Sequence, residues 1–509
     1  MSSETASPSE SAASEITDAR EIARAFVGMM RHARELLDSE EGESATSRAL
    51  TGHLGTALTQ AVIVHEAFPT FQHVSVQRAV DAYVSERGTT ADWLGLRIMH
   101  REHQDLASAL LVESRTQSQS FAAPDYTSAA DGPDSTREVL SYGLLCTHAP
   151  GGEPIVVAMT ISERHGPPQV HLDILCAQRA PAAATLERLR TLVAELDVVR
   201  GQVISFGVSE NYGNSLVTFL PRADLGADDV ILPDGLLDRI TDYVIGTAQH
   251  ADALRRTGIH LKRGLLLYGP PGTGKTHLVR YLTSQAAEAT VVILSGNSMR
   301  FIQEAAAIAR RLTPAMVVIE DVDLVAQDRE YSPTGNPFLF TLLDAMDGVG
   351  GDADITFLLT TNRVRDLEEA VVQRPGRIDL AIEVPRPDAG GREQLLRMYA
   401  GSAHLEADLA PAVAATEGAT ASAMKELMRR AVLIALGRDR VGDDGGDREA
   451  PVIDDEVLGI AVGQFTTNRD ELQRAFSGEA AETSGWGEPA PEPGQGRQVS
   501  GYTEDGSYR

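Results

Sequence analysis

The chain has 509 residues, of which 42% are hydrophobic, and this length allows about three globular domains. Its 73 Asp and Glu residues outnumber its 45 Lys and Arg residues, which gives a formal net charge of -28. Such acidity argues against a constitutive nucleic-acid binder and against binding to an anionic membrane, because both need a basic surface.

Cysteine use and hydropathy predict a cytoplasmic location. The two cysteines, Cys146 and Cys176, lie in apolar runs and are expected to be buried thiols in a reducing compartment. Residues 1–18 are rich in Ser, Ala and Glu, lack the apolar core of a signal peptide and are expected to be disordered. No run approaches the roughly 20 apolar residues of a membrane span.

Residues 19–225 are predicted to form an N-terminal α+β domain. Up to about residue 114 the apolar residues recur mostly at helical spacing, and residues 116–136 are polar and predicted to be a loop. The second half is β-rich, with one amphipathic helix over Ala183–Leu196. Its predicted strands are Val139–Cys146, Pro154–Ile161, Gln169–Cys176, Val203–Val208 and Ser215–Leu220. This region contains no catalytic constellation, so partner recognition is its candidate role.

Strand and helix patterns alternate over residues 226–384, which predicts a large α/β subdomain built on a parallel sheet. Residues 385–475 have a helical pattern and are predicted to form a small helical subdomain with an acidic, glycine-rich loop. Residues 476–509 are rich in Gly, Pro, Glu and Ser and are expected to form a disordered acidic tail.

A glycine-rich motif lies between the first strand and the first helix of the α/β subdomain. Residues 269–276 read G-P-P-G-T-G-K-T, the phosphate-loop (Walker A) pattern, in a strand–loop–helix context that argues against a turn without a ligand. Its backbone N–H groups and the helix N-terminus can surround a phosphate. Lys275 can reach the β- and γ-phosphates, and the Thr276 hydroxyl can ligate Mg²⁺. The predicted nucleotide-binding residues are Gly269, Pro270, Pro271, Gly272, Thr273, Gly274, Lys275, Thr276 and His277.

Two later apolar runs end in polar side chains, as expected of buried strands beside the phosphate-loop strand. The first run ends in Glu320-Asp321, a Walker B arrangement in which one carboxylate holds the Mg²⁺ shell and the next polarises the attacking water. The second run ends in Asn362, which can orient water or contact the γ-phosphate.

A basic turn follows the Asn362 strand. Arg374 and Arg377 flank Pro-Gly in the sequence R-P-G-R, and this turn is expected to hold both guanidinium groups outward. In isolation this sequence is typical of a surface turn. After the Asn362 strand it suits arginine fingers, which stabilise the γ-phosphate bound by a neighbouring subunit.

In this order, the motifs resemble those of the AAA family of the AAA+ ATPases. The matching segments are G-P-P-G-T-G-K-T, V-V-I-E-D-V-D, L-L-D-A-M-D-G, T-T-N-R and R-P-G-R-I-D, and residues 416–422 resemble the start of the sensor-2 helix in the lid. The resemblance covers about residues 228–462. It implies ATP and Mg²⁺ as cofactors, a homo-oligomeric ring that is usually a hexamer, and remodelling of a protein substrate or adaptor. By position, Glu320 takes the metal-binding role and Asp321 that of the catalytic base.

Two departures from the family pattern keep alternatives open. The family usually ends the Walker B strand with Asp-Glu, so the shorter Asp321 predicts hydrolysis that persists but can be slow. The segment S-G-N-S-M-R-F-I has Phe301 as its only aromatic residue, and Phe301-Ile302 forms either a weak pore grip or the buried side of a helix. A nucleotide-gated assembly switch or scaffold is therefore the alternative function, while the acidity argues against a DNA-remodelling ATPase.

Overall fold

The computed structural model describes residues 28–29, 44–88, 91–97, 120–162, 168–208, 215–323, 337–366, 377–441 and 450–477. The predicted disordered segment 1–18, nearly all of the predicted tail, most of the acidic loop and Arg374 lie outside these residues. The chain divides into two compact units, residues 1–387 and residues 388–509.

An antiparallel sheet occupies the N-terminal part of the larger unit. Five of the first seven strands pair in the order first, seventh, sixth, fifth, fourth, and the second pairs with the third. These strands are β1 (Val62–Pro69), β2 (Gly95–Arg97), β3 (Ser120–Ala122), β4 (Asp125–Ala130), β5 (Thr136–His148), β6 (Pro154–Ser162) and β7 (Gln169–Cys176).

Three helices, α1 (Ala45–Leu54), α2 (His73–Ser85) and α3 (Arg179–Glu195), accompany this sheet. The alternation of side chains along β6 explains how both faces of the sheet are used. Val157 belongs to a buried cluster with residues of α2 and α3, whereas its neighbour Val156 belongs to a cluster with residues of α1.

The structure adds strands to two segments of this part that the sequence did not predict as strands. Val62–Pro69 was expected within a mostly helical half, but it is a strand that pairs with β7 along its whole length. The period of a short apolar run does not distinguish a helix from a strand. In addition, β7, the strand that pairs with Val62–Pro69, lies about a hundred residues away in sequence. The predicted loop at 116–136 contains β3 and β4, and β4 is an exposed, polar edge strand that has no hydrophobic alternation.

A seven-stranded sheet forms the rest of the larger unit. Its strands are β8 (Val203–Val208), β9 (Ser215–Leu220), β10 (Arg263–Tyr268), β11 (Thr290–Ser295), β12 (Ala315–Glu320), β13 (Ile355–Thr361) and β14 (Leu380–Glu383), in the spatial order β14–β10–β13–β12–β11–β8–β9. All neighbours pair parallel except β8 and β9. The predicted parallel-sheet fold is confirmed.

The helices between these strands continue the α/β alternation. They are α4 (Leu236–Thr241), α5 (Thr247–Gln249), α6 (Ala251–Arg256), α7 (Lys275–Gln285), α8 (Ile302–Arg311) and α9 (Pro337–Asp347). A π-helical turn, Asp242–Gly246, joins α4 to α5.

The β8–β9 hairpin, which was predicted within the N-terminal domain, belongs to the seven-stranded sheet. There β8 pairs parallel with β11, and β9 is the edge strand. Phe206 of β8 stacks on Phe301, with ring centroids 5.4 Å apart. Local patterns identify both strands correctly but cannot reveal their partner, because strand pairing is a tertiary choice.

The smaller unit, residues 388–509, is helical in its described part. Its helices are α10 (Ala389–Ala400), α11 (Ala410–Ala415), α12 (Ala421–Val441) and α13 (Asp455–Ser477), and the short strands β15 (His404–Leu405) and β16 (Val452–Ile453) pair parallel. Among all the helices described in either unit, none is both long enough and apolar enough to cross a membrane.

Candidate nucleotide site

The phosphate loop follows the carboxyl end of β10 and leads directly into α7. Its glycines adopt backbone angles that L side chains rarely tolerate: φ is 78° at Gly272 and 104° at Gly274. A Cβ atom at Gly269 would lie 2.3 Å from the carbonyl oxygen of Val384, so the loop also needs glycine where it passes the end of β14. This strand–loop–helix arrangement can present backbone N–H groups to a phosphate.

Lys275 lies folded against its own loop. The side chain is nearly buried, at 6% exposure, and its Nζ donates hydrogen bonds to the carbonyl oxygens of Gly269 (2.8 Å) and Pro270 (2.9 Å). Burial lowers the pKa of Lys275, an effect that nearby Asp321 and Asp323 oppose. A bound phosphate oxygen would offer this ammonium group a stronger acceptor than the two neutral carbonyls.

Other loop side chains stabilise the loop itself. The hydroxyl of Thr273 donates to the carbonyl oxygen of Pro270 at 3.0 Å. The Nε2 of His277 donates to the carbonyl oxygen of Asp229 at 2.8 Å, which ties α7 to the segment that precedes α4. The predicted contact of His277 with nucleotide stays a prediction.

Glu320 and Thr276 fit a Mg²⁺ ion. Burial raises the pKa of Glu320, while a hydrogen bond from the Thr276 hydroxyl opposes this rise. The other carboxylate oxygen, Oε1, is buried and has no hydrogen-bond partner among the described residues. A hard cation would satisfy this oxygen. In the described part of the chain, no cluster of three or more His, Cys, Asp or Glu could hold a metal. Mg²⁺ needs no such cluster, because it usually takes one or two carboxylates together with substrate phosphates.

Asp321 is held in an unusual conformation next to Asn362. Among the described residues it is the one non-glycine residue with a positive φ, 54°. Its N–H donates to the Thr360 hydroxyl (2.9 Å), and its Oδ1 accepts a hydrogen bond from Nδ2 of Asn362 (3.1 Å). Backbone strain of this kind often marks functional sites. The structure thus brings together the predicted catalytic base and the predicted sensor residue.

Asp323, which was not among the predicted site residues, holds the backbone beside Asn362. Its buried Oδ1 accepts hydrogen bonds from the Thr361 hydroxyl (2.8 Å) and from the backbone N–H of Asn362 (3.0 Å). Asp323 thereby fixes the backbone at the end of β13, next to Asn362, whose side chain donates a hydrogen bond to Asp321. The available signal was its spacing, since it follows Asp321 by two residues in the run V-I-E-D-V-D.

Arg377 does not point outward, so this part of the prediction is wrong. Its side chain is 8% exposed and forms two hydrogen bonds with Asp347, from Nε to Oδ1 (3.1 Å) and from Nη2 to Oδ2 (2.7 Å). These bonds to Asp347 raise the pKa of Arg377. Asp347 lies in the L-L-D-A-M-D-G segment but was not among the predicted site residues. The roles of Arg374 and Arg377 as arginine fingers stay predictions, and Arg374 lies outside the described residues.

The segment expected to form either a pore grip or a buried helix side is buried. Phe301 is 9% exposed and Ile302 is fully buried, and both belong to the core on one face of the seven-stranded sheet. Phe301 stacks between two neighbours, because the ring of Phe206 and the guanidinium group of Arg300 both lie against it. In this conformation the pair cannot grip a substrate.

Comparison with known proteins agrees with this geometry. Residues 265–386 match the model of the ATPase family associated with various cellular activities (AAA). The chain is 34% identical over 244 residues to ATP-dependent zinc metalloprotease FtsH 2 of Symbiobacterium thermophilum. The aligned region covers 45% of this chain and 40% of that protein. The chain is 31% identical over 233 residues to proteasome-activating nucleotidase 1 of Halobacterium salinarum, covering 43% and 57%.

A eukaryotic protein is also similar. The 26S protease regulatory subunit 6A of Caenorhabditis elegans is 28% identical over 225 residues, which covers 40% of this chain and 51% of that protein. The chain spans about half the length of the curated relatives it matches. With the phosphate loop, the carboxylates after β12 and Asn362 after β13 in place, this chain contains an ATPase domain of the AAA family.

Proposed function

We propose that this protein binds and hydrolyses ATP with Mg²⁺, assembles into a homo-oligomeric ring and remodels a protein partner. The observation that carries the proposal is the meeting of Lys275, Glu320, Asp321 and Asn362 at the carboxyl ends of three adjacent parallel strands. The similarity to proteasome-activating nucleotidases and to a 26S regulatory subunit supports the assignment to a protein substrate. The two free cysteines support a reducing, cytoplasmic location.

In the proposed reaction, each residue of this group has a distinct task. Lys275 leaves its two loop carbonyls and binds the β- and γ-phosphates. Thr276 and Glu320 would hold a Mg²⁺ ion, which would supply positive charge to neutralise the charge that develops on the phosphates. Asp321 accepts the proton of the attacking water, and the hydrogen bond from Asn362 keeps its carboxylate oriented.

The Asp321→Asn variant tests this reaction. Asn tolerates a positive φ and can still accept a hydrogen bond from Asn362, so the fold should persist. We expect ATP binding to be retained and Mg²⁺-dependent phosphate release to fall by on the order of 100-fold or more, because the base is lost. Unchanged turnover would contradict the assignment of Asp321. Lys275→Ala, which should weaken binding itself, is the companion variant.

A nucleotide-gated assembly switch is the second candidate function. The burial of Phe301 and Ile302 favours it, because a ring that pulls substrate needs an exposed grip. Affinity capture with Asp321→Asn and ATP would supply the partner, whose effect on the wild-type rate then separates the two candidates. Stimulation well above the basal rate supports remodelling, whereas ATP-dependent assembly with negligible, unstimulated turnover supports the switch.

The size and partners of the assembly follow the same proposal. A hexamer is the proposed ring, and light scattering with and without ATP measures it directly. Nucleic acid is not a proposed partner because of the net charge of -28. Stimulation of hydrolysis by DNA or RNA would revive that alternative.

A further inference from the structure

Three side chains of the N-terminal sheet form a hydrogen-bonded chain. His65 of β1 lies directly opposite Asp173 of β7, and His171 precedes Asp173 by two residues, so all three side chains are on the same face of the sheet. Nδ1 of His65 is 2.6 Å from Oδ1 of Asp173, and Nε2 of His65 is 3.3 Å from Nδ1 of His171. We call His65 and His171 the histidine pair.

Asp173 lies where its residue type is rare. Aspartate is depleted in β-strands and is seldom fully buried without a partner, yet Asp173 lies in the middle of β7 at 2% exposure. A buried carboxylate needs a compensating contact, and the ring of His65 supplies one at 2.6 Å. Since the carboxylate is held against this ring, it can fix the orientation of the ring.

The same contact determines which nitrogen of His65 can bind a ligand. An ionised carboxylate only accepts hydrogen bonds, so the proton of the neutral His65 ring is on Nδ1. The lone pair of the ring is then on Nε2, the nitrogen that faces His171. A carboxylate that orients an imidazole in this way is the usual outer partner of a metal-binding histidine.

The spacing of the histidine pair fits two ligands of one metal ion. A tetrahedral zinc ion with Zn–N bonds of about 2.05 Å separates two ligating nitrogens by about 3.3 Å. The facing nitrogens of the pair are 3.3 Å apart, and the two rings are only 26° from parallel. Small rotations of the rings can therefore direct both lone pairs at one ion, which replaces the hydrogen bond between them. His171 then carries its proton on Nε2.

Access and charge favour a cation at this position. The side chain of His65 is 52% exposed, and the hydrogen bond between the two rings is itself exposed to solvent. The net charge of -28 attracts cations and repels anions. Imidazole nitrogens suit zinc, copper and nickel, whereas Mg²⁺ and Ca²⁺ prefer oxygen ligands. The histidine pair is therefore expected to discriminate against the ion proposed for the nucleotide site.

From this geometry we propose that His65 and His171 bind one Zn²⁺ ion and that Asp173 is the positioning residue for His65. The two imidazoles supply two ligands, and water molecules complete the coordination. No third His, Cys, Asp or Glu ligand joins the pair within the described part of the chain, so the ion is held reversibly. The site uses no residue of the nucleotide site, and the inference does not depend on ATP hydrolysis.

A zinc titration of the full-length, tag-free protein tests this site. Isothermal titration calorimetry with zinc chloride, in excess Mg²⁺ and without nucleotide, measures binding while sites for hard cations are filled. We expect His65→Ala and His171→Ala each to weaken zinc binding at least tenfold. His404→Ala removes an exposed strand histidine of the smaller unit and should leave it unchanged. Absence of zinc binding to the wild type, or equal binding by the wild type and both variants of the pair, would overturn the proposal.

A second experiment separates a metal site from a histidine pair that only holds two strands together. Zinc that binds the folded protein raises its melting temperature, and we expect this rise in the wild type but not in His65→Ala. If zinc changes neither melting temperature, the role of the pair is only structural. Asp173→Asn keeps an acceptor for Nδ1 of His65 but removes the charge, so zinc affinity should fall about tenfold or more. Unchanged affinity in Asp173→Asn would refute the positioning role.

Discussion

The carboxylate of Glu320 is expected to lower the stability of the nucleotide-free protein although ATP hydrolysis needs it. Its pKa is raised by burial, because the folded protein disfavours the charged form of this carboxyl group. We expect Glu320→Gln to keep or increase the melting temperature without nucleotide, because the amide removes that cost. Hydrolysis of ATP should fall by roughly 100-fold, since a Mg²⁺ ligand is lost. Calorimetry and a Mg²⁺ titration of the ATPase rate measure both effects. A lower melting temperature with normal activity would indicate a purely structural carboxylate.

The ion pair of Arg377 and Asp347 is expected to stabilise the fold, and its two members differ in burial. Arg377 is buried, whereas about half of the Asp347 side chain is exposed. The loss of Asp347 therefore costs more than the loss of an exposed charge, because the guanidinium group that remains is shielded from water. We expect Asp347→Ala to lower the free energy of unfolding by about 2 kcal/mol, close to the value of hydrogen bonds to charged groups. Asp344→Ala, which removes an exposed carboxylate on the same helix whose charge also acts on Arg377, is the control. Denaturant unfolding that shows equal effects would contradict the pairing.

Helices and strands were predictable where their signal is local. The strand–loop–helix at 263–285 and the strands that end in Glu320 and Thr361 follow from apolar runs with polar ends. The β8–β9 hairpin was assigned to the wrong sheet, and Arg377 was expected to be exposed. Both errors have the same origin, because sheet partners and the burial of a charge depend on residues far away in sequence.

Asp197 connects the N-terminal elements to helix α8 of the ATPase domain. Its fully buried carboxylate accepts a hydrogen bond from Gln72 (3.3 Å) at the start of α2 and pairs with Arg311 (3.0 Å) at the end of α8. Its other oxygen accepts from the Ser75 hydroxyl and from the N–H of Val199. Asp197 therefore joins three segments that are distant in sequence.

Removal of this carboxylate should destabilise the larger unit strongly. We expect Asp197→Ala to cost about 3 kcal/mol, because Arg311 and the polar groups of α2 lose a buried partner. Glu195→Ala, an exposed carboxylate two residues earlier, should stay within about 0.5 kcal/mol of wild type. Urea unfolding followed by far-UV circular dichroism compares the two. Similar midpoints for both variants would show that the Asp197 contacts contribute little.

The N-terminal elements contribute side chains to one hydrophobic cluster of the ATPase sheet. Val74 of α2, Val139 of β5 and Phe206 of β8 are buried in the same cluster as Phe301 and Phe357. A partner that binds the N-terminal elements would therefore act on a surface that is packed directly against the ATPase domain. This arrangement suits both the remodelling function and the switch, so the assembly itself has to be tested.

The proposed ring makes a prediction about mixtures of inactive subunits. If Arg374 acts on ATP that is bound by the neighbouring subunit, Lys275→Ala and Arg374→Ala damage opposite halves of one shared site. Each variant alone should be inactive, but when both are co-expressed with different tags, about one interface in four combines two intact halves in a head-to-tail ring. We expect the doubly purified mixture to recover a measurable part of the wild-type ATPase rate. A mixture of wild type with the double variant Lys275→Ala/Arg374→Ala is the control for subunit exchange. If exchange occurs and the two single variants together stay inactive, the site is contained within one subunit and the arginine-finger assignment fails.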